Sequence, residues 1–272
     1  MKEQKILFTD IDGTLLDDAK EIPKENMEAI KKAIAKGHYV VISTGRPLES
    51  AKMVVEKLGL TMKGCYLIAY NGGVVYDCGN DKVLKEERLS YDCVRELMEK
   101  AEAAGIYFQT YCGTKIVTKT EGKELAAYRS HTKLDYILTD DIMGALTQEP
   151  PKAMLINLDD KKCLEDFQKE NLEWQEGKGI SFFSNDTYLE YCPVGSTKGL
   201  GMEFLCSYLD IPIENTIAAG DERNDIPMLK AAQVGVAMKN AKDEVKACAD
   251  YVTERTNNEA GIAEVIEKFL LS

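Results

Sequence analysis

The chain has 272 residues, 44% of them apolar and 29% charged, with a net charge of −12. This is the make-up of a soluble globular protein able to bury its own core, and its surface repels nucleic acid and anionic membranes. Eight irregularly spaced cysteines with no C-x-x-C pair, and only His38 and His131, argue against a disulfide scaffold and against a histidine-rich zinc site.

The charged start runs directly into a short apolar segment, without a signal pattern. No apolar run approaches the ~20 residues of a membrane span. A cytoplasmic protein with reduced thiols is expected, as a monomer or weak homodimer. Residues 4–9, QKILFT, read as a buried strand. From Pro23 to Lys36, Met27, Ile30 and Ile34 share one helical face, with Gly37 as the stop. HYVVIS is a second strand. A helix follows from Pro47 to Gly59, with Ala51, Val54, Val55 and Leu58 spaced for burial, and CYLIAY is a third strand. Continuous apolar strands alternating with amphipathic helices predict βαβ units and a parallel sheet.

Beyond Asn71-Gly72-Gly73 the pattern changes. A hairpin around Gly79-Asn80 precedes a helix from Ser90 to Ala104. Two antiparallel strands turn at Gly113, and the segments 121–131 and 139–147 look helical. PKAMLINL is a strand, 160–173 a helix, and ISFFSND with TYLEYCPV a strand pair. Past Pro193 the alternation of helix and strand returns to the C-terminal helix. The expectation is an α/β, Rossmann-like parallel-sheet core formed by residues 1–84 and 188–272. An inserted α+β domain is expected at 85–187.

Ligands of open α/β sheets sit beyond the carboxyl ends of the strands. Four such places carry polar groups: Asp10-Ile11-Asp12-Gly13-Thr14, Ser43-Thr44-Gly45-Arg46, Ser196-Thr197-Lys198-Gly199, and Gly220-Asp221-Glu222-Arg223-Asn224-Asp225. Asp10, Asp12, Asp221 and Asp225 converging in one cleft would repel severely without a cation. All-oxygen ligands suit Mg²⁺ bound with a phosphate. Asp10, last on its strand, is the better nucleophile, and Asp12 can serve as acid and then base. Thr44, Gly45, Arg46, Asn71 and Lys198 are the candidate phosphate contacts. Arg46 alternatively pairs with a surface acid, and Asn71 alternatively marks a plain turn. Asp221 completes the metal site, with Asn224 and Asp225 orienting Lys198 or metal-bound water. The P-loop pattern, a cysteine with an arginine six positions on, and G-x-G-x-x-G after a strand are all missing.

The segments DIDGTLL, VVISTGRP, STKG and GDERNDIPML resemble the four motifs of the haloacid dehalogenase-like (HAD) hydrolases, within them the Cof-type phosphatases with an inserted type II (C2B-like) cap. The resemblance implies Mg²⁺-dependent hydrolysis of phosphate monoesters. It implies Asp10 as nucleophile, Asp12 as acid/base, and Asp10, Asp12 and Asp221 as metal ligands. Thr44 and Lys198 would hold phosphate, and Asn224 and Asp225 would support. Lys239 departs from the glycine common in the M-x-N-A turn. The implied substrate is a small phosphorylated metabolite: a sugar phosphate, nucleotide or phosphorylated cofactor. The alternatives are a sugar phosphomutase of the same superfamily, which would pass phosphate back to its substrate, or an Asp-phosphorylated switch without turnover. Tyr111, Arg129, His131 and Tyr188 of the insert are candidate cleft residues.

Overall fold

The computed structural model describes residues 4–62 and 64–272. Residues 1–3, the charged start used against a signal segment, lie outside the described residues. Two compact units form, one from residues up to 45, 51–85 and 197–272, the other from 46–50 and 86–196.

The chain opens with β1 (Ile6–Thr9), α1 (Lys24–Ala35), β2 (Tyr39–Ser43), α2 (Leu48–Leu58), β3 (Tyr66–Ala69), β4 (Val74–Asp77) and β5 (Lys82–Glu86). The second unit carries α3 (Tyr91–Ala103), β6 (Tyr107–Cys112), β7 (Lys115–Thr118), α4 (Lys123–Thr132), β8 (Tyr136–Leu138) and α5 (Ile142–Ala145). It continues with β9 (Ala153–Ile156), α6 (Lys161–Glu170), α7 (Leu172–Gln175), β10 (Ile180–Asn185) and β11 (Tyr188–Cys192). The first unit then resumes with α8 (Lys198–Leu209), β12 (Thr216–Gly220), α9 (Ile226–Ala231), β13 (Val234–Ala237), α10 (Asp243–Lys246), β14 (Tyr251–Val252) and α11 (Gly261–Phe269).

The first unit is built on an eight-stranded sheet of order β14-β13-β12-β1-β2-β3-β4-β5. β1 pairs in parallel with β12 on one side and β2 on the other. Ile6, Leu7 and Phe8 are fully buried, as a strand covered on both faces requires. Each such side chain contributes roughly 1.5–3 kcal/mol. α2 buries Ala51, Val54, Val55 and Leu58, as their spacing predicts. α1 differs from expectation: its buried face is Asn26, Ala29, Ile30 and Ala33, while Met27 and Ile34 are half-buried. The face is turned because Asn26 is satisfied inside. Its Nδ2 donates to the Leu15 carbonyl at 3.2 Å, and its Oδ1 accepts from Ala263 N at 2.8 Å.

The second unit holds a six-stranded sheet of order β10-β11-β9-β6-β7-β8. β11 pairs there with β9 and β10. Residues 188–192 therefore belong with the insert, and the expected return to the core at 188 comes too early. The strand's own ladder, formed with inserted strands, decides this. β8 escaped the sequence because three residues at a sheet edge are too few to show a period. On one face Val94, Leu97, Phe108, Val117, Leu155 and Leu189 form the apolar core. Strand alternation sends Gln109, Tyr111, Lys152 and Glu190 the other way. There Lys152 Nζ meets Glu190 Oε2 at 2.7 Å, both nearly inaccessible. Tyr111 donates to the Tyr128 hydroxyl at 2.5 Å, and Tyr128 packs edge-on against Tyr188. Tyr111 and Tyr188 are thus interior residues. Arg129 donates from Nε to the Leu134 carbonyl at 2.8 Å, and His131 is exposed.

Candidate active site

β1 lies at the point where the strand order runs outward in both directions, to β12 and to β2. At such a point the carboxyl ends of parallel strands open a crevice. Asp10, Thr44 and Asp221 leave the sheet there. Asp10 N still donates to Ala219 O at 3.0 Å, and Thr44 N to Ile68 O at 2.8 Å, so both residues are held by the ladder before the chain departs.

The centre is Lys198, which is 1% exposed. Its Nζ donates to Asp10 Oδ1 and Asp225 Oδ1, each at 2.5 Å. Asp225 turns its other oxygen to the backbone N–H groups of Asp221, at 2.9 Å, and Glu222, at 3.0 Å. Asp221 Oδ1 accepts from the Thr14 hydroxyl at 2.7 Å. Oxygens of Asp10, Asp221 and Asp225 all come within 4.8 Å of one another. Gly13, at φ +77°, makes room for this: a Cβ there would overlap the Asp221 carboxylate.

Around this cluster the polar turns are tied together. Asn71, in a left-handed conformation at φ 55°, donates its N–H to Thr44 O at 3.0 Å. Asn71 Oδ1 accepts from Asn224 Nδ2 at 2.9 Å. A Cβ on Gly45 would press on the Asn71 amide, and one on Gly72 would overlap the Thr197 carbonyl. Thr197 caps α8, its Oγ1 accepting from Leu200 N at 3.1 Å, and so sets the first turn that carries Lys198. Thr44 is buried and Arg46 half-buried.

Electrostatics follow from this crowding. Burial, opposed by Lys198 and reinforced by Asp225 and Asp12, pushes the Asp10 carboxyl up to about 7. Burial, with Asp10 and Asp225 nearby, also raises Asp221 well above the carboxylate range. Burial alone would lower Lys198, but Asp10 and Asp225 outweigh it and hold the ammonium above its ordinary range. Three carboxylates gather around the one ammonium of Lys198, so negative charge is in excess there. A pocket of carboxylate oxygens short of positive charge fits a hard divalent cation. The oxygens of Asp10, Asp221 and Asp225 lie close enough together to hold one, and those of Asp225 already accept from Lys198 and two N–H groups.

Of the expected residues, the structure gathers Asp10, Lys198, Asp221 and Asp225 at the centre, with Thr44, Gly45, Asn71 and Asn224 in the adjoining turns. The expected convergence of four carboxylates holds for three. The Asp12 carboxylate turns to Lys20, whose Nζ lies 3.0 Å from Asp12 Oδ1. Three contributors escaped sequence reasoning. Thr14 was visible inside DIDGT. Asn240, whose Nδ2 donates to Gly13 O at 2.7 Å, lies in the same M-x-N-A turn that drew notice for Lys239. Lys239 itself is anchored through its N–H to Thr253 Oγ1 at 2.8 Å. Lys20 carried no signal, since one lysine in a charged loop has no pattern.

Residues 7–266 match the model of a family described as haloacid dehalogenase-like hydrolase. A Bacillus subtilis protein named 5-amino-6-(5-phospho-D-ribitylamino)uracil phosphatase is 32% identical over 268 residues, 98% of this chain and 96% of that one. The crystal structure of a haloacid dehalogenase-like hydrolase from Bacteroides thetaiotaomicron superposes with a TM-score of 0.88 at 31% identity, covering 98% of this chain and 99% of that one. The HAD subclass IIB sugar phosphatase BT4131 superposes with a TM-score of 0.82 at 25% identity, covering 98% and 99% of the two chains.

Proposed function

This chain belongs to the haloacid dehalogenase-like hydrolases, and from that premise we propose that it hydrolyses small phosphate monoesters with Mg²⁺ through a phosphorylated Asp10. It is a phosphoric monoester hydrolase by family and by the activities of its relatives. The observation that carries the finer reading is the buried Lys198 set between Asp10 and Asp225, with Asp221 alongside.

Asp10 attacks phosphorus, the bond to the ester oxygen breaks, and Asp12 gives that oxygen its proton. Asp12 then takes a proton from the water that attacks the aspartyl-phosphate. Inorganic phosphate leaves and Asp10 is restored. Lys198 has a third N–H beyond the two spent on carboxylates. That N–H and the Thr44 hydroxyl hold the phosphoryl oxygens, a reaction governed mainly by positioning and charge. Gly45, Arg46 and Asn71 complete the phosphate contacts, and Asn224 and Asp225 keep Asn71 and Lys198 in place. A bound Mg²⁺, held by Asp10 and Asp221 with the main chain of Asp12, would supply the positive charge that the cluster and the phosphoryl oxygens call for.

Specificity falls to the inserted residues, because the core groups recognise only phosphate. The two named relatives act on a ribityl phosphate and on sugar phosphates. A phosphate on a polyhydroxylated carbon chain is accordingly the first substrate class to test, before nucleotides and phosphorylated cofactors. A cytoplasmic location is part of this reading, and it rests on the irregular cysteine spacing, which is not that of a disulfide framework. Among the described residues, no helix is long and apolar enough to cross a membrane.

The test is phosphate release from sugar phosphates, nucleotides, pyridoxal phosphate and flavin mononucleotide, with Mg²⁺, with a chelator, and with Asp10→Asn. Metal-dependent release that vanishes in the variant is expected. Full activity in Asp10→Asn would remove Asp10 as the nucleophile.

A further inference from the structure

The M-x-N-A turn after β13, Met238-Lys239-Asn240-Ala241, touches both loops that carry the clustered carboxylates. Ala241 N donates to Met238 O at 2.8 Å and closes the turn, while Lys239 N donates to Thr253 Oγ1 at 2.8 Å. On one side the turn holds the loop after β12. Met238 N donates to Gly220 O at 3.0 Å, and the next residue along, Lys242, donates its N–H to Asp221 O at 3.2 Å. On the other side it holds the loop after β1. Asn240 Nδ2 donates to Gly13 O at 2.7 Å. The amide faces that way because its Oδ1 accepts from Asn257 N at 2.9 Å. A further bond joins the two loops directly: the fully buried Thr14 donates its hydroxyl to Asp221 Oδ1 at 2.7 Å. Lys242, Asp221, Thr14, Gly13 and Asn240 thus close a ring of hydrogen bonds.

We propose that Asn240 and Thr14 are positioning residues, a relay that holds the Asp221 carboxylate ready for a divalent cation. Asn240 fixes the peptide between Gly13 and Thr14, and that peptide aims the Thr14 hydroxyl at Asp221. The relay rests on the reading of Asp221 as a Mg²⁺ ligand. A carboxylate without such a bond turns about its side-chain torsions, and a cation that binds it must first stop that motion. A hydrogen bond made beforehand removes this cost, which is why the groups behind a metal ligand matter to affinity. Gly13 leaves no slack between the two loops, since a Cβ there would overlap the Asp221 carboxylate. A small rotation of the peptide after Gly13 therefore reaches Asp221 at once. Asn240 is exposed, so truncating it leaves the apolar core intact and tests the relay itself.

The experiment titrates Mg²⁺ alone into metal-free protein in a calorimeter. It compares the parent with Thr14→Val, Thr14→Ser, Asn240→Ala, the double variant Thr14→Val/Asn240→Ala, and Asp221→Asn. In Thr14→Val the Mg²⁺ dissociation constant should rise about tenfold, the lower end of what losing such a bond costs a metal site. Thr14→Ser keeps the hydroxyl and should restore most of the affinity. Asn240→Ala, one bond further out, should raise the constant at least about threefold. The double variant should bind within about twofold of Thr14→Val, because Asn240 acts through that hydroxyl. Phosphate release by Asn240→Ala should need more Mg²⁺ for half its maximal rate, by the same factor as the calorimetric constant. An unchanged constant in Thr14→Val or in Asn240→Ala, or additive losses in the double variant, would overturn the relay. Asp221→Asn separates the two readings. If it binds Mg²⁺ far more weakly while Thr14→Val binds like the parent, only the relay is dismissed. If Asp221→Asn binds Mg²⁺ as tightly as the parent, Asp221 is no ligand and the relay falls with it.

Discussion

The Lys198 ammonium joins Asp10 and Asp225, each at 2.5 Å, across separations of 188 and 27 residues. One nitrogen thus ties the end of β1 to the turn after β12 and to the first turn of α8. Replacing it with methionine leaves two buried carboxylates without their cation. Breaking a buried pair from one side costs about 3–5 kcal/mol. Lys198→Met should lose turnover and show a midpoint of denaturant unfolding well below that of the parent. An unchanged midpoint would mean that the cluster relaxes into water.

Asp10→Asn acts in the opposite direction on stability. It removes one charge from three carboxylates gathered around a single ammonium, and one that burial disfavours. Metal-free Asp10→Asn should melt at or above the parent temperature, gain less from Mg²⁺, and release no phosphate. This is the usual trade between a working site and a stable one. Differential scanning calorimetry with and without Mg²⁺ decides it, and a lower metal-free Tm counts against the excess-charge account.

The same carboxyls set a pH dependence. Unfolded Asp ionises near 3.8, whereas folded Asp10 does so at about 7. Between these values the native state binds more protons than the unfolded one, so stability falls as pH rises. Metal-free protein should lose Tm from about pH 4 to about pH 7 through this group. Mg²⁺ competes with those protons, so its stabilisation should be larger at pH 8 than at pH 5. Melting curves across that range check both, and a Mg²⁺ effect larger at pH 5 contradicts the assignment of Asp10 as a ligand.

Gly72 has φ +96°, and a Cβ there would overlap the Thr197 carbonyl just before Lys198. Backbone on backbone offers no side chain that can swing away. Gly72→Ala should displace the first turn of α8, costing about 1–3 kcal/mol of strain and at least about tenfold in kcat. Gly37, at φ +87° with nothing near its Cβ, provides the comparison: Gly37→Ala should cost some stability and leave kcat unchanged.

In the second unit Lys152 and Glu190 form a pair at 2.7 Å with side chains 1% and 3% exposed. Lys152→Met alone should cost about 3–5 kcal/mol, and the double variant Lys152→Met/Glu190→Leu less than either single change. A double-mutant cycle by urea unfolding reads the coupling. Additive losses would show that the pair contributes nothing beyond its parts.

What the sequence by itself determined was the order of the elements other than the short β8, and the strand ends that carry chemistry. Both are local: apolar periodicity within ten or so residues marks a strand or helix, Asp10, Thr44 and Asp221 each follow such a strand directly, and Lys198 opens such a helix. The family motifs lie in those same contiguous stretches. Tertiary structure alone decided matters that depend on a distant partner. The buried face of α1 turned on Asn26 finding Leu15 and Ala263. The place of residues 188–192 turned on the ladder with β9. Asp12 was expected beside Asp10, but its carboxylate rotates about a single bond, and in the fold it meets Lys20. Asn240 reached Gly13 across 227 residues. A side chain's direction is set by charges and hydrogen-bond partners brought near by folding, and no pattern within one segment encodes them.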